Sequence, residues 1–248
     1  MFTENRTDEA HAALWFLGQA GFLLQSGEQK ILIDPYLSDS VGKSDPRFTR
    51  TYPVPVDAAE LDANLYLVTH DHLDHLDPET IAHYPHKDRT VFVAPRFAAR
   101  RLEELGVPHA NIRVVDHGEK CEVNGVKIQG VFALATGRDV LDTTGYRVEL
   151  PNGKSIYHTS DTAFCSLVLE DAPYADVLLV CINGKCGNLN VEQAVQLTEK
   201  VSPQFVVPMH HDVMALNAEN PEAFRYFCAV RGLEDRCRIL KPMEKLEW

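Results

Sequence analysis

Residues 69–75 read Thr69-His70-Asp71-His72-Leu73-Asp74-His75, which places three imidazoles and two carboxylates within seven residues. The run directly follows the apolar residues 65–68, which predict a buried strand. The cluster therefore lies where a strand ends and a loop begins, a common position for catalytic groups. Histidine and aspartate supply the nitrogen and oxygen ligands of zinc-like ions, and such ions generate hydroxide near neutral pH. This stretch therefore predicts a metal site.

An ion needs donors that converge from several directions, so this stretch requires partners from elsewhere in the chain. Two later segments, residues 157–162 and 208–212, also follow apolar runs and carry such donors. The first two histidines can hold one ion, and the following aspartate and histidine a second. An aspartate in 157–162 can bridge the two ions, and a histidine in 208–212 can complete the second site. The metal ligands predicted in this order are His70, His72, Asp74, His75, Asp161 and His210.

Length, composition and charge set limits on what the protein does. The chain has 248 residues, 45% of them hydrophobic, and we predict one domain over residues 1–248. The net charge of −12 repels nucleic-acid phosphates, so long nucleic acids are not expected as partners. An acidic surface can still hold a local basic pocket. A small-molecule substrate is therefore expected, and a phosphorylated one stays open.

Three features predict a cytoplasmic protein without a membrane partner. Residues 1–13 are polar and charged and lack the apolar core of a signal peptide. No apolar run approaches the roughly 20 residues that span a bilayer. The six cysteines contain no CxxC pair and are interpreted as reduced thiols.

The order of hydrophobic runs and turn residues predicts an α/β or α+β protein. Strands are predicted at residues 14–24 (turning at Gly18), 30–33, 65–68, 90–94, 112–115, 126–134, 145–150, 155–158, 177–181, 205–207 and 238–240. Helices are predicted to start at Pro78 and to cover residues 95–105, 191–201 and 224–230, while residues 36–64 are expected to form an irregular surface loop near the site. Antiparallel strands come first and strands alternating with helices follow, and then the order repeats. Two mixed sheets packed face to face with helices outside satisfy this order.

The run from His70 to His75 matches the HxHxDH signature of the metallo-β-lactamase superfamily, and the chain resembles that superfamily over nearly its whole length. The resemblance implies a four-layer α/β/β/α sandwich of two mixed sheets. Asp161 and His210 fall where the superfamily places its bridging carboxylate and last histidine. The reaction is not fixed by this resemblance, because the fold hosts many hydrolases.

Three further residues are expected to support the ligands from behind. Asp34 can orient a ligand histidine, and a plain strand-ending Asp34-Pro35 pair explains it equally well. Asp71 is often structural in this motif, turned back to fix the loop. His211, like His158, is interpreted as a residue behind the ligands or as a structural one.

Four segments give a narrower resemblance, to the ascorbate-6-phosphate lactonase branch. They are residues 18–22 (Gly-Gln-Ala-Gly-Phe), residues 33–37, residues 183–194 and residues 208–217. The branch implies a lactonase that acts on a phosphorylated sugar-acid lactone with manganese. A phosphate requires cationic or amide donors, and Arg138, Asn183 and Lys185 are the candidates.

The sequence departs from the superfamily at the third histidine of the first ion. That ligand is expected after residues 126–131, but residues 131–139 contain no histidine. Three outcomes are open: the first ion is weak or absent, Asp139 or Asp142 replaces the ligand, or Arg138 enters the site and binds a substrate anion. Loss of a nitrogen ligand favours ions that accept oxygen donors. We therefore expect Mn²⁺ or Zn²⁺, as one ion or two.

The expected reaction is hydrolysis by a metal-bound hydroxide that attacks a lactone carbonyl, with Asp74 and Asp161 as the catalytic carboxylates. Asp161, or else Asp71 or Asp74, is expected to hold the nucleophile and to pass a proton to the leaving oxygen. A phosphodiesterase or ribonuclease of the same fold is the first alternative, and a metal-binding module that has lost turnover is the second. The helix at 224–230 can pack inside the protein or against another subunit, which leaves a homo-oligomer open.

Overall fold

Two β-sheets form the centre of the protein in a computed structural model that describes residues 10–248. The thirteen strands within those residues are β1 (Ala13–Gly18), β2 (Gly21–Ser26), β3 (Gln29–Ile33), β4 (Leu65–Leu67), β5 (Val91–Ala94), β6 (Ile112–Val114), β7 (Lys120–Val123), β8 (Val126–Phe132), β9 (Thr144–Glu149), β10 (Ser155–His158), β11 (Val177–Cys181), β12 (Phe205–Met209) and β13 (Lys245–Glu247).

Both sheets contain antiparallel and parallel pairs. The first sheet has the order β13-β1-β2-β3-β4-β5-β6, and it is antiparallel up to β3 and parallel from β3 onward. The second sheet has the order β12-β11-β10-β9-β8-β7, with parallel pairs among β10, β11 and β12 and antiparallel pairs elsewhere. The predicted pair of mixed sheets is confirmed.

Six helices flank the sheets within residues 10–248. They are α1 (Ser40–Ser44), α2 (Pro78–His83), α3 (Arg96–Glu104), α4 (Ser166–Glu170), α5 (Val191–Val201) and α6 (Pro221–Val230). The capping box that Asn190 and Gln193 form fixes the start of α5. The longest helix, α5, has 11 residues. Among residues 10–248 no helix has the length and apolarity that crossing a bilayer requires.

Alternation along the buried strands creates the layers. In β4, Leu65 and Leu67 join the core between the two sheets, whereas Tyr66 faces the opposite side. There Tyr66 shares a second apolar cluster with Ile81 of α2 and Leu102 of α3. On the second sheet α5 packs against β11 and α6. The four-layer α/β/β/α arrangement is therefore confirmed.

The structure corrects three predicted elements. Residues 238–240 form no strand, and the last strand is instead β13, which pairs with β1. The pairing there is limited to an isolated bridge between Cys237 and Val206, whereas β13 pairs with a strand that is distant in sequence. Helix α6 begins at Pro221, three residues before the predicted start, because Asn220 caps it and proline is favoured at the first helical position. Residues 36–64 are not wholly irregular, since they contain α1 and two short 3₁₀ turns.

Strand β8 passes so close to the preceding turn that it requires glycine at one position. A Cβ atom on Gly130 would overlap the carbonyl oxygen of Asp116. We expect Gly130→Ala to lower the free energy of unfolding by about 1–3 kcal/mol, because the strand or the turn must move. Urea denaturation measures this change. The neighbouring Gln129→Ala is the control, with an expected change within about 0.5 kcal/mol, and equal losses in both variants would contradict the close approach.

Candidate metal centre

The predicted ligands come from strand ends of both sheets. The loop after β4 supplies His70, Asp74 and His75, whereas Asp161 follows β10 and His210 follows β12. The polypeptide turns at each of these strand ends, so the side chains reach one shared edge of the sandwich. Distant parts of the sequence therefore meet at a single site.

Ligand-type atoms converge closely there. Asp161 Oδ1 lies 3.3 Å from His75 Nε2 and 3.3 Å from His210 Nε2, and His210 Nε2 lies 3.2 Å from Asp74 Oδ2. His70 Nε2 lies 2.9 Å from a ring nitrogen of His72. The structure thus brings all six predicted ligands together, although it groups them differently from the expected assignment. Among residues 10–248, two sets have donor atoms within 4.8 Å of one another, namely His70 with His75 and Asp161, and Asp74 with His75 and His210.

His72 stands at the margin of these sets and contacts one of the residues proposed to replace the missing histidine. Its Nε2 atom lies 3.0 Å from Asp139 Oδ2, while its Nδ1 atom faces His70. A carboxylate on one ring nitrogen orients the other nitrogen toward an ion. Asp142 is held elsewhere, because its Oδ2 accepts a hydrogen bond of 2.6 Å from the Phe97 backbone N–H. Arg138 is exposed and does not line the cavity over the site.

His75 is held in place by a fully buried carboxylate, as the sequence suggested for Asp34. The His75 Nδ1 atom lies 2.7 Å from Asp34 Oδ2. The same carboxylate accepts hydrogen bonds from the Thr69 backbone N–H at 2.9 Å and from the Thr69 hydroxyl at 2.5 Å. With Nδ1 donating to Asp34, the Nε2 atom of His75 faces Asp161 and the site.

Burial and charge give these groups different protonation tendencies. Burial, with help from the positive charge of His75, lowers the pKa of His70 to about 3, which leaves its imidazole neutral. Burial alone would also lower the pKa of His75, but the carboxylates of Asp161, Asp74 and Asp34 outweigh it and hold that pKa well above its usual range. Burial would raise the pKa of Asp161, and the positive charges of His210 and His75 outweigh it and lower that pKa. A cation that enters such a cluster takes the place of the imidazole protons.

Within residues 10–248, the buried His75 Nε2 and Asp161 Oδ1 atoms at the centre have no hydrogen-bond partner of good geometry, although they lie 3.3 Å apart. Unpaired polar atoms are costly in a protein interior, so their presence requires an explanation. A divalent cation satisfies both atoms, and imidazole with carboxylate is a donor set that Zn²⁺ and Mn²⁺ accept. The residues present therefore fit a metal ion.

Backbone strain is concentrated at the same place. Eight non-glycine residues among 10–248 have a positive φ, and four of them, Gln19, Asp34, Ser160 and His210, lie at the centre. Such conformations persist only where the surroundings fix them, and they are frequent at functional sites. Sequence reasoning assigned no site role to Gln19. The signals for it were a polar residue between small residues in an apolar hairpin and its place in the segment 18–22, which carries the narrower family resemblance.

The remaining predicted residues lie at or beyond the edge of the cluster. The Asn183 amide donates a 2.6 Å hydrogen bond to Asn217 Oδ1, and Asn217 Nδ2 lies 3.4 Å from His210 Nδ1, so the buried Asn183 supports His210 through Asn217. Lys185 is exposed and contacts the Ala218 carbonyl. Asp71 is half-buried, and within residues 10–248 its side chain makes no hydrogen bond. His211 is buried and stacks on Phe16, and neither of its ring nitrogens has a hydrogen-bond partner in the described part of the chain.

A cavity of about 460 Å³ opens over the centre. Its floor is polar and includes Asp74, Asp161 and His210. Four apolar residues that sequence reasoning did not identify also line the cavity and are called the apolar wall below: Val41, Phe48, Leu73 and Met214. Val41, Phe48 and Met214 pack in one cluster. No lysine or arginine is among the cavity's lining residues in the described part of the chain. The cavity thus joins a metal-binding floor to an uncharged apolar wall.

Comparison with known proteins gives consistent results. Residues 13–210 match the family model described as the beta-lactamase superfamily domain. A UPF0173 metal-dependent hydrolase of Pyrococcus furiosus is 32% identical and is matched over 94% of this chain and 97% of its own length, and one of Thermococcus kodakarensis gives the same three values.

Two solved structures share the fold. One is Igni18, a metallo hydrolase from Ignicoccus hospitalis, with a TM-score of 0.77, 21% identity and coverage of 96% of this chain and 98% of that one. The other is an isothiocyanate hydrolase from Delia radicum gut bacteria, with a TM-score of 0.78, 20% identity and coverage of 94% and 98%.

Proposed function

This chain belongs to the metallo-β-lactamase superfamily and, within it, to the UPF0173 metal-dependent hydrolase family, and on that premise we propose that it hydrolyses a small uncharged acyl compound, with a lactone as the first candidate. The observation that carries the proposal is the cavity, in which a metal-binding floor adjoins an apolar wall without lysine or arginine. Such a lining accommodates an uncharged substrate with an apolar substituent.

The chain's own residues have separable roles in this reaction. The ion would be held by the six ligands named above, and when bound it supplies positive charge that lowers the pKa of water toward neutrality. Asp161 lines the cavity and is ionised, so it can accept a proton from the attacking water and return it to the leaving oxygen. Asp74 also lines the cavity and can hold that water by a hydrogen bond. Asp34 keeps His75 oriented throughout.

The charge of the cavity supports one class of candidate substrate over the others. Recognition of a phosphate normally uses arginine, lysine or several amide donors. Arg138 and Lys185 are exposed and lie outside the lining, and the Asn183 amide is engaged with Asn217. We therefore favour an uncharged lactone over the phosphorylated sugar-acid lactone and over a phosphodiester. A small isothiocyanate is a second candidate, because it is also uncharged and apolar; the structural neighbour from Delia radicum gut bacteria is named for that activity.

A substrate panel tests this proposal. We expect the purified protein loaded with Mn²⁺ or Zn²⁺ to hydrolyse γ-lactones with kcat/KM rising by up to about fourfold for each methylene of the alkyl chain that the apolar wall buries. A phosphorylated sugar lactone, bis-p-nitrophenyl phosphate and allyl isothiocyanate complete the panel, and Asp161→Asn controls for contaminating enzymes. The proposal would be contradicted if the protein hydrolysed the phosphorylated sugar lactone or bis-p-nitrophenyl phosphate faster than every unphosphorylated lactone. Turnover of none of the compounds by the loaded protein would favour a binding module.

A further inference from the structure

The amide side chain of Gln19 contacts two of the predicted metal ligands, Asp74 and His210. Glutamine is not a residue type that is usually considered as a ligand. Gln19 lies in the turn between β1 and β2 and is 1% exposed. Its Nε2 atom lies 2.7 Å from Asp74 Oδ2 and 3.0 Å from His210 Nε2. We propose that Gln19 is a positioning residue of the metal centre, which donates from its amide to Asp74 and so holds Asp74 and His210 in place for the ion. The inference rests on the metal site of the proposed function.

The backbone of the turn is tied to the same site. The Gln19 carbonyl accepts a 2.6 Å hydrogen bond from the His210 N–H, and the neighbouring Ala20 carbonyl lies 2.9 Å from His158 Nε2. The turn of the first sheet is therefore bound to the ends of β10 and β12 in the second. Gln19 and His210 both have left-handed backbones, with φ values of 56° and 61°. Two strained residues joined by a short hydrogen bond indicate a conformation that the surroundings fix.

The other side of the turn is also packed. A Cβ atom on Gly18 would lie 2.7 Å from the Tyr52 hydroxyl, and that hydroxyl donates a 3.0 Å hydrogen bond to Asp212 Oδ2. The glycine thus lets Tyr52 approach the turn closely. With contacts on both sides, the side chain of Gln19 has little freedom to leave Asp74.

An amide suits this position better than a charged group. It carries N–H donors and no charge, so it can donate to the Asp74 carboxylate without adding a cation beside an ion site. A lysine would compete with the metal for Asp74. A glutamate would place a second carboxylate against Asp74 and could not donate.

Two variants of the full chain test the proposal. The dissociation constant of Co²⁺ is measured by calorimetric titration of metal-free protein, and the visible absorption spectrum of bound Co²⁺ reports ligand geometry. We expect Gln19→Leu to weaken binding by about 10–100-fold, as loss of a ligand-orienting partner does, and to shift the spectrum. Gln19→Glu should weaken binding at least as much. Gln129→Leu on β8 is the control, with unchanged affinity and spectrum.

Two results would overturn the inference. Wild-type or tighter affinity in Gln19→Glu would mean that an oxygen at this position binds the ion directly. Wild-type affinity and an unchanged spectrum in Gln19→Leu would mean that the amide has no positioning role. If thermal denaturation shows that Gln19→Leu is unfolded, Gln19→Met, which keeps the length of the side chain, replaces it with the same expected outcome. A wild-type protein that binds Co²⁺ but turns over no substrate would refute the proposed function and leave this inference standing.

Discussion

Asp161→Ala should abolish hydrolysis and lower the amount of bound metal, with a fall in kcat/KM beyond the roughly 100-fold that loss of an orienting partner costs. The reason is its position, because one carboxylate oxygen faces both His75 and His210 at 3.3 Å. Without it, the oxygen placed evenly between both imidazoles is lost, although Asp74 Oδ2 remains 3.2 Å from His210 Nε2 and 3.9 Å from His75 Nε2. The proton acceptor in the cavity is lost as well. Atomic spectroscopy after dialysis measures the bound metal, and the preferred lactone measures turnover.

The control for this variant is Asp235→Ala, which removes an exposed aspartate far along the chain and should change neither quantity. A variant of Asp161 that kept its full metal content and lost only turnover would assign this residue to proton transfer alone. Retention of both properties would remove Asp161 from the centre.

Asp34→Ala should cost the metal-free protein about 3–5 kcal/mol of unfolding free energy, the usual penalty for breaking a buried ionic pair. The carboxylate is fully buried, and its loss would leave His75 and the Thr69 N–H and hydroxyl without their acceptor. Urea denaturation followed by intrinsic fluorescence measures the change.

Asp34→Asn is the matched variant, since it keeps the size of the side chain and one acceptor oxygen and should lose less stability than the alanine. Both variants should also bind Co²⁺ about 10–100-fold more weakly, because His75 is no longer oriented. A loss of stability below about 1 kcal/mol in Asp34→Ala would show that the pair contributes little to the fold.

The local parts of the fold and site were predictable from sequence. Four of the six predicted ligands lie within residues 70–75, where spacing alone suggests a shared ion, and the apolar run 65–68 before them predicts the buried strand β4. Helix α5 has its signals in adjacent residues, a capping Asn190 followed by Gln193. In these cases the determining contacts are near in sequence.

Long-range contacts explain what the sequence did not reveal. Gln19 and His210 are 191 positions apart, and nothing beside Gln19 indicates that they meet. The apolar wall draws on residues 36–64, where irregular backbone hides which side chains face inward. The replacement for the absent histidine stayed open for the same reason. Only the folded loop shows that Asp139 reaches His72 while Asp142 turns toward α3.

The division of the ligands between the two sheets has a consequence for how the protein resists unfolding. Each sheet alone holds only part of the coordination set, so the half-assembled chain has far weaker affinity for the ion than the native one. Mass action then favours the closed sandwich, by about 4 kcal/mol when free metal exceeds its dissociation constant a thousandfold. Chelation should accordingly make the interior accessible to proteases at temperatures that the loaded protein withstands.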